Sequence, residues 1–176
     1  MPDMQLRRIK NCSFAFLVIL LFPTVASGLD VHFSPHEGIQ SFLVEVIDDT
    51  KKSLDIMMYS FTSEELAKAV VRAHKRKVMI RILLDETQAG GRHSKDEFLS
   101  EHGVNVRIED REGLMHNKVA IIDGKTVITG SYNWTESAEK KNQENAIILT
   151  AEDDEEALKK FQGRFEYLWQ LNLPEP

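Results

Sequence analysis

Three features of the chain predict an α/β fold, a mixed β-sheet flanked by helices. Apolar stripes at helical spacing alternate with short apolar runs of strand length along most of the sequence. Two of those runs are joined by a tight Asp123-Gly124 turn, which makes an antiparallel hairpin inside an otherwise alternating pattern. The length, 176 residues, suits one domain with a single sizeable core, and 42% hydrophobic with 28% charged residues is ordinary for a water-facing globular chain.

The elements follow in order. Ser34-Pro35-His36-Glu37 reads as a helix start, with Ser34 as the cap, Pro35 in the first position and Glu37 closing a capping box. Ile39, Phe42, Leu43, Val46 and Ile47 then form an apolar stripe. A strand from Leu54 to Tyr59 is next. Thr62 to Glu65 reads as a second capping box, opening a helix with Leu66, Ala69, Val70 and Ala73 on one face. Val78 to Leu84 is an apolar strand interrupted by Arg81, and Gln88 to Ser94, with Gly90-Gly91, is a loop. A short helix around Phe98 ends at Gly103, and Val104 to Ile108 is a strand. The hairpin of Val119 to Ile122 and Thr126 to Thr129 comes next, then a strand from Asn145 to Leu149. A last helix aligns Ala157, Leu158, Phe161, Phe165, Leu168 and Trp169 on one face, which is read as core.

The chemistry is concentrated around the hairpin. His116-Asn117-Lys118 with Asp123 reads H-x-K-x4-D, and Gly130-Ser131-Tyr132-Asn133 reads G-S-x-N. Alternation along a strand sends His116 and Lys118 to one face. Ser131 and Asn133, also two apart, can project together just past the second strand. An imidazole, an ammonium, a hydroxyl and a carboxamide suit a site that binds a phosphodiester and attacks it without a metal. Asp123 lies an odd number of residues from Lys118, so it is read as structural, organising the turn by side-chain hydrogen bonds. A hairpin with one exposed histidine and one exposed lysine would explain the first segment without any function. The G-S-x-N segment is what favours a site.

This ordered set, His116-x-Lys118-x4-Asp123-x6-Gly130-Ser131-x-Asn133, resembles the HKD signature of the phospholipase D superfamily. Ser53 to Thr62 is similar to the first core strand and following loop of its small bacterial nucleases, and Lys141 to Ala146 resembles the segment that holds an active-site acid, placing that role on Glu144. The resemblance spans roughly residues 30 to 170. Lys77 departs from it, since relatives tend to close that helix with glycine. What the resemblance implies is a two-step reaction with two histidines, one attacking phosphorus and one serving as general acid and then base. Lys118 and Asn133 would offset charge on the phosphate with help from Ser131, and Glu144 would orient an imidazole. This chain has one H-x-K motif, so the simplest arrangement is a symmetric homodimer with the site across its two-fold axis. The expected substrate is nucleic acid, DNA or RNA, with little sequence preference. The alternatives are a lipid phosphodiester, or a catalytically silent nucleic-acid-binding module.

The remaining signals are compositional. Arg7, Arg8 and Lys10 precede an apolar run from Phe14 to Phe22 and the small residues Val25-Ala26-Ser27-Gly28. This reads as a signal peptide over 1–27 and an exported, secreted or periplasmic domain over 28–176; an uncleaved anchor is the competing reading. Cys12 is the single cysteine, so after cleavage neither disulfides nor thiolate metal ligands are expected. Cleavage would remove three basic residues and Asp3 from a chain of 22 basic and 28 acidic residues, leaving a net charge of −8. A polyanion would then need a local basic patch, for which Lys118, Arg92, Lys95, Lys140 and Lys141 are candidates. His93 beside Arg92 is a further candidate for the substrate groove. The other histidines show no metal-ligand spacing, and no cofactor is expected. His74-Lys75-Arg76-Lys77 is read as the solvated basic end of a helix, and the acidic run from Glu152 to Glu156 as a helix start.

Overall fold

The computed structural model describes residues 29–172. The expected signal peptide lies outside the described residues. One seven-stranded sheet runs through the domain, built from β1 (Asp30–Ser34), β2 (Ser53–Met58), β3 (Met79–Asp85), β4 (Asn105–Glu109), β5 (Lys118–Ile122), β6 (Thr126–Gly130) and β7 (Glu144–Thr150). The strand order is β1-β7-β6-β5-β2-β3-β4. Connection length sets the strand directions. Helices α2 (Glu64–Lys75) and α3 (Asp96–Glu101) bridge β2 to β3 and β3 to β4, and both pairs are parallel. The Asp123-Gly124 turn leaves no room for a crossover, so β5 and β6 are antiparallel. β5 also pairs antiparallel with β2, which splices the two halves into one sheet.

Alternate residues of β2 and β5 feed two cores. Leu54, Ile56, Met58, Ala120 and Ile122 pack under α1 (Ile39–Asp49) and α2, while Met57, Val119 and Ile121 pack under α5 (Glu155–Leu171). Leu158, Phe165, Leu168 and Trp169 are the buried residues of α5, so its aromatic face is core. Arg81 in the apolar β3 is explained by its neighbours. Its guanidinium donates to Asp55 at 2.8 and 2.9 Å and to Glu166 at 2.8 Å, and lies 4.7 Å from the centre of the Phe165 ring.

Both expected helix starts move. Ser34 does not cap a helix; it ends β1, paired opposite Glu144 of β7. The cross-strand ladder holds this backbone extended, so α1 begins only at Ile39, after Gly38 in the left-handed region at φ 67°. The Glu37 carboxylate still turns back, accepting the Phe33 backbone N–H at 2.7 Å. The second cap is Ser63 instead of Thr62. The backbone N–H groups of Thr62 and Ser63 both donate to the Trp134 carbonyl, which keeps that stretch extended. The Ser63 hydroxyl accepts the Leu66 N–H at 3.3 Å. β1 and α4 (Glu136–Lys140) are elements that the sequence pattern did not suggest.

Candidate active site

The strands leave Ser34, Tyr59, Asp85, Lys118, Gly130 and Glu144 at one end of the sheet. His116 and Lys118 meet there. The Lys118 ammonium donates to the His116 ring Nδ1 at 2.9 Å and to the His116 carbonyl at 2.8 Å. The imidazole is exposed, whereas Lys118 is only 7% exposed. Burial lowers the Lys118 pKa below the ordinary lysine value, against the Glu144 and Asp85 carboxylates, which raise it.

Two residues outside the H-x-K and G-S-x-N segments hold this pair. The Tyr59 ring lies 4.3 Å from the His116 ring, and the Lys118 ammonium lies 4.9 Å from the Tyr59 ring centre. The Tyr59 N–H donates to the Asn117 carbonyl at 2.9 Å, tying the end of β2 to the motif. Asp85, 1% exposed, accepts the Met115 N–H at 2.7 Å with one oxygen, while the other accepts from Thr87. It therefore clamps the segment leading into His116. A carboxylate ending an apolar strand was the available signal for Asp85. For Tyr59 it was the aromatic residue following β2.

The G-S-x-N segment wraps around the start of β7. The N–H groups of Ser131 and Tyr132 donate to the Asn145 carbonyl, both at 3.2 Å, and the Ser131 hydroxyl accepts the Asn145 N–H at 3.1 Å. This close approach explains Gly130: at φ 146°, an added Cβ would stand 2.3 Å from the Asn145 carbonyl oxygen. Asn133 has a buried Oδ1 with no hydrogen-bond partner. Tyr132 is buried and donates to Glu139 at 2.8 Å, and burial raises its phenol pKa. Glu144 is half-buried and accepts from Asn142 at 2.9 Å; no hydrogen bond joins it to His116 of its own chain.

Asp123 lies away from this cluster. At φ 53° it leaves strand geometry, so strand alternation does not set its direction. Its carboxylate accepts the backbone N–H groups of Lys51, Lys52 and Ser53 instead of bonding within its own turn. Burial alone would raise its pKa, but the N–H groups of Lys52, Ser53 and Lys51 hold it below the ordinary carboxylate value.

The candidate basic patch does not assemble as expected. Lys95, His93 and Lys140 line a groove shared with Glu64, Glu65, Glu136 and Glu139, and Lys140 pairs with Glu136 at 2.7 Å. α4 carries that acidic pair into the groove. Arg92 and Lys141 are exposed. Among the described residues, no group of three or more His, Cys, Asp or Glu side chains is arranged to hold a metal ion.

The family model for the cardiolipin synthase, PLD-like domain matches residues 43–169. The chain is 32% identical over 163 residues to a mitochondrial cardiolipin hydrolase of Xenopus laevis, covering 86% of this chain and 76% of that one. It is 37% identical over 123 residues to a phospholipase D of Rickettsia prowazekii, covering 70% and 60%. The phospholipase D family member Nuc from Salmonella typhimurium superposes with a TM-score of 0.75 at 33% identity, covering 81% of this chain and 94% of Nuc. NucT from Helicobacter pylori gives 0.73 at 25% identity, covering 81% and 96%. The chain belongs to the phospholipase D superfamily and is a phosphodiester hydrolase of that superfamily.

Proposed function

We propose that this phosphodiester hydrolase is an exported endonuclease with little sequence preference. It cleaves DNA or RNA without a metal, through a covalent phosphohistidine on His116. The observation that carries the reading is an exposed imidazole directly above a buried ammonium. Lys118, Asn133 and Ser131 offset the charge on the non-bridging oxygens of the phosphate. His116 Nε2 attacks phosphorus, the bond to the leaving oxygen breaks, and a second imidazole protonates that oxygen. Water, deprotonated by the second imidazole, then attacks the phosphohistidine and frees His116.

The second imidazole comes from a second copy of the chain. The two-step scheme needs two imidazoles, and the chain carries one H-x-K motif. Glu144 is half-buried at the same end of the sheet and bonded to no imidazole. A two-fold axis through the site supplies the second His116 and gives each carboxylate an imidazole to orient.

Lipid phosphodiesters are the second reading, favoured by the relatives named cardiolipin hydrolase and phospholipase D. Exposed Leu114, two residues before His116, and Phe33, next to Ser34 at the site end of β1, are the apolar groups that would meet a lipid surface. The exposed polar residues Ser131 and Asn142 beside the motif suit a polynucleotide better than a lipid surface.

Incubating the exported protein with plasmid DNA, RNA and phospholipid vesicles, each with and without EDTA, separates these readings. Nicking of nucleic acid that survives EDTA is the expected result. Release of a headgroup alone would move the assignment to lipid, and loss of activity restored by magnesium would end the metal-free scheme. Mixing wild-type and His116→Ala chains in equal amounts should leave about one quarter wild-type dimers, halving activity per wild-type chain. Activity proportional to the wild-type fraction would remove the shared site.

A further inference from the structure

We propose that Tyr59 is a positioning residue, whose ring face keeps Lys118 charged and His116 aligned; this rests on the assignment of those two residues above. The geometry is specific. One ring meets the imidazole at 4.3 Å, tilted by 51°, and meets the ammonium at 4.9 Å from its centre. A buried ammonium needs compensation for lost water, and the negative face of an aromatic ring supplies it without a competing hydrogen-bond acceptor. The other groups facing Lys118 are the His116 ring and carbonyl from its own segment, Asp85 from the end of β3 and Glu144 from the start of β7. The two carboxylates raise its pKa at longer range.

Tyr59 is itself held in place. Its N–H is bonded to Asn117, and its hydroxyl accepts from Gln88 at 3.2 Å, in the loop after β3. The hydroxyl anchors the ring, and the ring performs the function. Removing the hydroxyl and removing the ring are therefore expected to differ.

The test compares Tyr59→Phe with Tyr59→Leu. Tyr59→Phe should keep kcat within about twofold. Tyr59→Leu should lower kcat by about tenfold or more, and move the alkaline limb of the pH profile down by about half a unit, the value of one modest cation–π contact. Equal kcat and unshifted profiles in Tyr59→Leu would overturn the proposal, as would a Tyr59→Phe as defective as Tyr59→Leu. A measurement on the wild-type protein covers the case in which Tyr59→Leu does not fold. By NMR, the ε-methylene protons of Lys118 should be shifted upfield by the Tyr59 ring, and unshifted protons would overturn the placement. That signal does not depend on turnover. A wrong assignment of Lys118 and His116 would show separately, as activity retained in Lys118→Met.

Discussion

Two stretches of this chain have nearly the same composition, and only one lies in the candidate site. His74-Lys75-Arg76-Lys77 closes α2, and His116-Asn117-Lys118 enters β5. In the first stretch the cations face water and the end of α1. Lys75, Arg76 and Lys77 are exposed, and the Arg76 guanidinium donates to the Ile47 carbonyl at 2.9 Å. Arg72, one turn earlier, holds Asp48 through two hydrogen bonds that lower the Asp48 pKa. These charges are spent on helix carbonyls and one carboxylate, where water screens them. In the second stretch the ammonium is almost fully desolvated, shares an aromatic face with the imidazole and has no carboxylate within hydrogen-bonding distance. An anionic ligand meeting that ammonium would find a charge that water no longer screens. Residue type supplies the cation, but burial at the open end of a sheet is what takes it out of water's screening.

The largest expected effect breaks the comparison at its histidines. His116→Ala should reduce kcat on a model phosphodiester by about a thousandfold or more, the scale of losing a nucleophile. His74→Ala should stay within about twofold. Comparable losses in both would show that the two stretches are not different in kind.

The lysines come next. Lys118→Met keeps the side-chain length, and should lower kcat/KM by about a hundredfold or more through loss of charge at the phosphate. Lys75→Met should leave it unchanged. The sign for stability is opposite to that for activity. The Lys118 pKa is lower in the folded chain than in the unfolded one, so at neutral pH the charged form costs stability. That cost is released as pH rises from the lowered value towards the ordinary lysine range. Lys118→Met should therefore unfold at an equal or higher denaturant concentration at pH 7, and its advantage should shrink at alkaline pH. A large loss of stability at pH 7 would assign Lys118 to the scaffold.

Asp123 sharpens the comparison by separating scaffold from chemistry within one motif. Asp123→Ala leaves the N–H groups of Lys51, Lys52 and Ser53 without their acceptor, which should cost about 1–3 kcal/mol in urea unfolding. The rate per folded molecule should be retained. Because its folded pKa is lowered, the stabilisation is fully present above the ordinary carboxylate range near pH 4 and lost as pH falls through the lowered value. A rate loss without a stability loss would contradict this role.

The smallest effect is at Lys77, which sits at φ 72° just after α2, where a glycine would be unstrained. Lys77→Gly should stabilise by about 0.5–1 kcal/mol, the strain relieved exceeding the entropy added to the unfolded chain. A destabilised variant would show that the lysine side chain makes a contact worth more than the strain.

Local signals made most of this legible. The Asp123-Gly124 turn, the apolar runs of β2 to β7 and the stripe of α5 are written in neighbouring residues, so they could be read without knowing what they pack against. The pairing of His116 with Lys118 followed from a spacing of two. The capping boxes at Ser34 and Thr62 were legible too, but each lost to a distant partner: β7 holds one backbone extended and the Trp134 carbonyl holds the other. Asp85 and Tyr59 belong to the same class. Each lies more than thirty residues before His116, and touches that segment only because β2 lies beside β5 and β3 one strand further away.

The sequence by itself determined most of the elements, the hairpin and the inventory of candidate site groups, because those depend on period, turn chemistry and residue type over a few positions. Only the tertiary structure decided which lysine is desolvated, which carboxylates surround it and which cations are neutralised by acidic neighbours. Those outcomes depend on dielectric and distance, and both are set by strands and helices brought together from opposite ends of the chain.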